Sequence, residues 1–142
     1  MVSWVAVTEV ALDAVGLRQA MLDPGAGALV LFEGCARDSH EGRAVELLAY
    51  EAFVPMAIAE LEKLRQEAMA TFTLKRCAIH HRLGPVPLLE AAVIVACAAP
   101  HRREAFEAAA WIMDRIKERV PIWKREHYQD GSATWVEGTA RR

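Results

Sequence analysis

An α+β fold with a mainly antiparallel sheet and three helices is predicted for this chain, and three observations carry that reading. Its 142 residues, 54% hydrophobic and 25% charged, suit one compact domain over 1–142 that buries a real core. Apolar runs of strand length come in succession and are broken by lone helical stretches, the order of an α+β chain. Clusters such as "DPGAG" and "QDGS" punctuate those runs with turn residues. Parallel pairing through the helices stays open at this point.

The elements follow in order. "SWVAVTEV" alternates and is rich in valine, a first strand, and Thr8 is placed to cap a helix through "EVALDAVGLRQAML" that "DPGAG" stops. "ALVLFEGCAR" is an apolar buried strand, and "VELLAYEAF" follows it across the polar stretch "DSHEGR". Together they read as a long hairpin whose tip, Asp38 to Arg43 with Gly42 inside it, is expected to be a mobile lid. Pro55 suits the first turn of a second helix, in which Ile58, Leu61, Leu64 and Ala68 recur at helical spacing. "TLKRCAIHHRLG" and "AAVIVACAAP" are two further strands joined through "PVPLLE". The clearest element is the third helix, His101 to Val120, with Phe106, Ala109, Ala110, Met113, Ile116 and Val120 expected on its inner side. Pro121 ends it, and "WKREHY" and "ATWVEG" form a last strand pair around "QDGS".

The bulk numbers exclude several classes of function. Seventeen basic residues against nineteen acidic ones leave a formal charge of −2, so no global field gathers nucleic acid or anionic membrane, and any anion site is local. No apolar run reaches the roughly 18 residues of a membrane span, and "MVSWVAVTEV" lacks the regions of a secretion signal, which points to the cytoplasm. Cys35, Cys77 and Cys97 are odd in number and scattered without a CxxC pair, so neither a disulfide framework nor a zinc site is signalled. All three read as small buried hydrophobes.

Chemistry concentrates on the third helix. Lys117 projects from the middle of its apolar stripe, and beyond Pro121 the chain offers Trp123 and Lys124, which can bring a second ammonium back toward the first. Two like charges beside partly desolvated surroundings disfavour protonation of at least one amine, and a neutral amine serves as base or nucleophile. The bland alternative is a lysine snorkelling to water from a helix end. At the other end His101, Arg102 and Arg103 sit where helix amides favour an anion, unless they pair locally, as Arg103 can with Glu107. Arg37 follows a buried strand and faces the polar tip as a phosphate or carboxylate clamp. Met113 and Phe106 read as core. His80 and His81 alternate on a strand, cannot share a face, and are assigned to structure.

"VLFEGCAR" with its loop, "AIHHRLGPV", "PHRREAFEAAAWIMDRIKERVPIWKRE" and "WVEG", in that order, resemble the large, catalytic subunit of molybdopterin synthase. The similarity covers nearly the whole chain, and the exit of the third helix is its most specific part. The resemblance implies the α/β-hammerhead fold of that subunit and a sulfurtransferase activity. Sulfur passes from the thiocarboxylated C-terminal Gly-Gly of a small ubiquitin-like subunit to cyclic pyranopterin monophosphate, forming the molybdopterin dithiolene. It further implies that Lys117 and Lys124 are the catalytic pair, Lys117 as proton shuttle or transient acyl acceptor. Arg37, His101 and Arg102 match positions that bind phosphate and pterin, and Phe32 and Met113 match the apolar lining. No resident cofactor or metal is implied. Two departures stand out: Cys35 occupies a position where the family often has lysine, and Gly138 and Thr139 replace a basic residue for which Arg141 or Arg142 could substitute.

Helix length adds an expectation about assembly. Fifteen residues separate Arg102 from Lys117, and at about 1.5 Å per residue that is about 22 Å, roughly twice the length of a pterin monophosphate. A site using both helix ends then needs two copies about a two-fold axis, a homodimer, which with the small subunit that the resemblance implies is the core of a heterotetramer. Trp111, among Glu104, Glu107, Arg115 and Glu118, is expected to be covered by a partner. The competing function is a non-catalytic homodimeric module that holds an anionic metabolite or a partner's C-terminal tail.

Overall fold

A computed structural model describes residues 2–136 and builds two sheets and three helices. The departures at 138–139 and 141–142 lie outside the described residues. The first sheet has the order β1 (Val5–Thr8), β5 (Arg76–Arg82), β7 (Ala91–Ala99), β2 (Ala28–Cys35). All its pairs are antiparallel except β1 with β5. The second runs β3 (Ser39–His40), β4 (Arg43–Ala52), β8 (Ile122–Tyr128), β9 (Ala133–Val136), with β6 (Gly84–Val86) also paired to β4. Among the described residues no helix is long and apolar enough to cross a membrane.

β7 is the spine of the first sheet because both its faces are covered, which explains why "AAVIVACAA" runs apolar without alternation. Val93, Val95 and Cys97 point to a core closed by α2 (Val54–Thr71) and α3 (Arg102–Arg119). Ile94 and Ala96 point the other way, to Leu17 and Met21 of the α1 (Ala14–Ala20) segment. A smaller core, with Val45, Leu48, Val86 and Tyr128, holds the second sheet together.

Several expectations are corrected. The first strand ends at Thr8, whose carbonyl accepts the amide of Leu83 at 2.7 Å and so ties it to the sheet. The helix starts only at Ala14, capped by Asp13, which accepts from Gly16 N at 2.9 Å. The strands β2 and β4 are not a hairpin. The apolar β2 pairs with β7 in the first sheet, while β4 leaves for the second after an irregularity between Gly34 and Cys35. The stretch expected as a mobile lid contains its own tight hairpin, β3 with the start of β4, turning on Glu41 and Gly42 with φ of 50° and 81°. Positive φ at both central residues is the two-residue turn whose twist matches the strands it joins. Arg43 braces it, donating to Ser132 Oγ at 2.8 Å and stacking 3.6 Å over the Tyr128 ring.

The inner face of α3 is also rotated from the expected one. Ala105, Ala108, Ala109, Ile112 and Ile116 are buried, while Phe106 is 62% exposed and Ala110 faces outward. The helix packs on β7, β2 and α2 together, and small alanines let it approach them closely. Trp111 is half-buried within its own chain, packing edge-on against Phe72 at 5.8 Å with the Arg115 guanidinium 5.4 Å from its ring. Cys77 and Cys97 face one another in register and are buried, as expected, but Cys35 is exposed at the β2 irregularity. Arg103 does reach Glu107, at 3.9 Å.

This face assignment is checked by paired truncations. Ile112→Ala should cost about 2–5 kcal/mol in chemical denaturation, and Phe106→Ala within about 0.5 kcal/mol of zero. A reversed order would restore the face read from periodicity.

Candidate active site

The two sheets and the C-terminal half of α3 enclose a cavity of about 250 Å³. The end of α3 shapes it. Val120 N–H closes the last turn onto Ile116 O at 3.1 Å, Pro121 cannot continue the helix, and Ile122 N returns to Val120 O at 2.8 Å. The chain therefore reverses at once into β8, where Lys124 and Glu126 alternate inward and Trp123 and Arg125 outward. Lys117, one turn before the reversal, reaches the same cavity from the helix side.

Five of the seven residues singled out from the sequence meet here: Phe32, Arg37, Met113, Lys117 and Lys124 all line the cavity. His101 and Arg102 do not. They are the N-cap and first residue of α3, both exposed, at the helix end remote from Lys117. Met113 packs against the main core, as expected, and lines the cavity as well, while Cys35, expected to be buried, stands in the wall.

Arg37, Lys117 and Lys124 make no salt bridge within 4.0 Å among the described residues. Three cations converging on a partly closed cavity favour an anion and repel a metal ion. Burial pushes the Lys124 ammonium below the ordinary lysine pKa; the carboxylate of Glu126 opposes that, and the charges of Lys117 and Arg37 add to it. The like-charge effect expected from the sequence is thus present, but burial is the larger cause and falls on Lys124.

Pairing of β8 with β4 sets Lys124 opposite Tyr50 and Glu126 opposite Leu48. Glu126 is 3% exposed; its Oε1 accepts the Tyr128 hydroxyl at 2.7 Å, and its Oε2 lies 3.6 Å from His40 Nδ1. Burial, and secondarily Glu126, pushes the Tyr50 phenol up to about 12, so it stays protonated. The His81 ring packs edge-on against Tyr50 at 5.0 Å. Sequence reasoning missed His40, Tyr50, His81 and Glu126. One signal was available for Glu126, which stands two residues after Lys124 on a strand and so shares its face.

Folded Lys124 holds its proton less tightly than the unfolded lysine, so its contribution to stability is unfavourable at neutral pH and recovers as pH rises toward 10.5. Because Glu126 favours the charged amine, Glu126→Gln should lower the Lys124 pKa further while Gln still accepts from Tyr128. Side-chain nitrogen NMR of Lys124 measures this directly, and an upward shift would contradict the assignment of Glu126 as its counter-charge.

Comparison with known proteins places the chain. The model of a family described as MoaE protein matches residues 7–119. A Pyrococcus abyssi protein named molybdopterin synthase catalytic subunit is 48% identical over 112 residues, 79% of this chain and 75% of its own length. One of the same name from Aspergillus fumigatus is 46% identical over 118 residues, 83% of this chain but 63% of its own length. The crystal structure of molybdopterin synthase from Staphylococcus aureus superposes with a TM-score of 0.89 at 32% identity, covering 96% of this chain and 98% of that one. By the family match and by identities at this level, the chain belongs to the MoaE protein family.

Proposed function

We propose that this chain is the large, catalytic subunit of a molybdopterin synthase, a single catalytic domain over 1–142 that moves sulfur from a thiocarboxylate to cyclic pyranopterin monophosphate. The observation that carries the reading is the cavity itself, where three cations without salt-bridge partners among the described residues converge, one of them, Lys124, biased toward its neutral form. A thiocarboxylate is an anion and needs such neutralisation; its conversion needs an amine able to accept a proton or an acyl group.

The roles divide by position. Arg37, at the mouth after β2, clamps phosphate or carboxylate, and Phe32 and Met113 give the apolar wall. Lys117 meets the acyl carbon as proton shuttle or transient acyl acceptor, and Lys124, set deeper and partly desolvated, takes up the proton. The donor is the Gly-Gly tail of a small ubiquitin-like subunit; glycines are what a narrow channel admits. Beside the cavity, Phe53 and Trp123 pack edge-on at 5.8 Å yet stay 64% and 45% exposed, an apolar surface for the body of that partner.

His101 and Arg102 join the site from a second copy. They are about 22 Å along α3 from Lys117, too far to share one pterin with it within a protomer. Two chains about a two-fold axis, each with a small subunit, give the homodimer at the core of a heterotetramer with two equivalent composite sites. A cytoplasmic location goes with this reading.

The direct experiment mixes the purified chain with a thiocarboxylated small subunit and the cyclic pterin and looks for dithiolene product. Lys117→Ala should reduce turnover by about 10²-fold or more while tail binding stays within about threefold. A variant that loses only affinity would favour the non-catalytic binding module. Lys117→Ala and Arg102→Ala chains, each inactive alone, should recover part of the activity after subunit exchange. No recovery in a verified mixed dimer would place both helix ends in a site within one chain.

A further inference from the structure

The cavity is lined by three cations, by the hydroxyls of Ser39 and Tyr50, which can donate or accept, and by His40, Glu126 and His81. Its cations can only donate, and Glu126 is already engaged by Tyr128 and lies beside His40. His81 is different. Its ring is 5% exposed, lines the cavity, and is held edge-on by Tyr50, so its orientation is fixed. Its Nδ1 lies 2.8 Å from the carbonyl oxygen of Arg82. A carbonyl oxygen only accepts, so Nδ1 carries the proton and Nε2 is left as a bare lone pair. No hydrogen bond reaches Nε2 among the described residues.

From this geometry we infer that His81 is a positioning residue whose Nε2 accepts a hydrogen bond from an N–H or O–H donor on the heterocycle of the substrate. The inference deepens the proposed synthase reading and rests on it. Two considerations favour the heterocycle over the peptide tail. The tail ends in an anion that the cavity's cations satisfy, and main-chain amides of an extended tail can pair with backbone. A fused pterin, by contrast, presents in-plane N–H groups, and cationic neighbours would leave these without a partner. A neutral acceptor on the floor of a positively charged cavity supplies one, and it discriminates against analogues that lack the donor. Burial also holds the imidazole neutral, with a pKa pushed down to about 4, so the acceptor persists across the physiological range.

The test compares His81→Phe, which keeps the ring and its packing on Tyr50 but removes the acceptor, with His81→Gln, whose terminal oxygen can replace Nε2. With wild type active in the complete assay, which checks the synthase reading separately, His81→Phe should raise KM for the cyclic pterin about tenfold or more. Its kcat should change less than threefold, affinity for a Gly-Gly-ending peptide should be unchanged, and His81→Gln should restore most of the loss. Imidazole nitrogen NMR of the wild-type chain needs no variant: an unprotonated Nε2 resonance should move upfield when the cyclic pterin is added. An unmoved resonance, an unchanged pterin KM, or a loss of peptide affinity in place of pterin affinity would overturn the inference. Inactive wild type would instead count against the synthase reading.

Discussion

The register of β8 against β4 is the constraint on which the site depends. Side chains on a strand alternate with period two, so a slip by one residue would turn Lys124 and Glu126 outward and bring Trp123 and Arg125 into the cavity. Pro121 fixes where the strand begins, and the inward set Ile122, Lys124, Glu126 and Tyr128 is then determined. An irregularity in β4 between Val45 and Leu47 adjusts the opposing strand. It brings both Val45 and Leu48, three residues apart, to the buried side, where unbroken alternation would put them on opposite faces. Arg43 then locks the distal end by spanning from β4 to Asp130 and Ser132.

A second constraint is that β2 and β4 belong to different sheets. The cavity exists because the chain leaves the first sheet after β2 and enters the second, so side chains from both meet over the end of α3. Gly34 serves that exit. A Cβ there would stand 2.8 Å from Val93 Cγ1, closer than a side chain tolerates, so the glycine lets β2 hug β7 just before the irregularity. Cys35 and Arg37 follow directly, which is why a thiol expected in the core lines the wall instead.

What the sequence made legible follows from range. The third helix, its termination at Pro121 and the turn before β9 are local events, written in consecutive residues, and Gly131 with φ of 90° sits where "QDGS" requires it. Lys117 and Lys124 were legible for the same reason, since the reversal that brings them together takes only a few residues. The partner of β2 was not, because a strand's apolar pattern does not name its neighbour, and β7 lies more than fifty residues away. Nor was the buried face of α3, since Phe106 and Met113 satisfy the same periodicity as Ala105 and Ile112, and only the shape of the surrounding layers selects between them. His81 was passed over because it was weighed only with His80 as a metal pair. Its place in the cavity depends on Tyr50, contributed from the other sheet.

Glu126 makes the electrostatics of the cavity a balance and not a simple excess. Without a carboxylate, burial together with Lys117 and Arg37 would act unopposed on Lys124 and shift it further toward the neutral amine, which holds an anion less well. With the carboxylate in direct salt-bridge contact, Lys124 would be held charged and its reactivity quenched. The structure stands between these limits: Glu126 is near enough to raise the Lys124 pKa but forms no salt bridge with it within 4.0 Å, while its Oε1 accepts from the Tyr128 hydroxyl and its Oε2 lies 3.6 Å from His40 Nδ1. The hydrogen bond from Tyr128 also offsets part of the desolvation of a carboxylate that is almost fully buried. The same arrangement supplies an amine whose charge can respond when an anionic ligand arrives, since added negative charge favours the protonated form. The charge on Lys124 therefore follows the charge of what the cavity holds, with no fixed ion pair to override it.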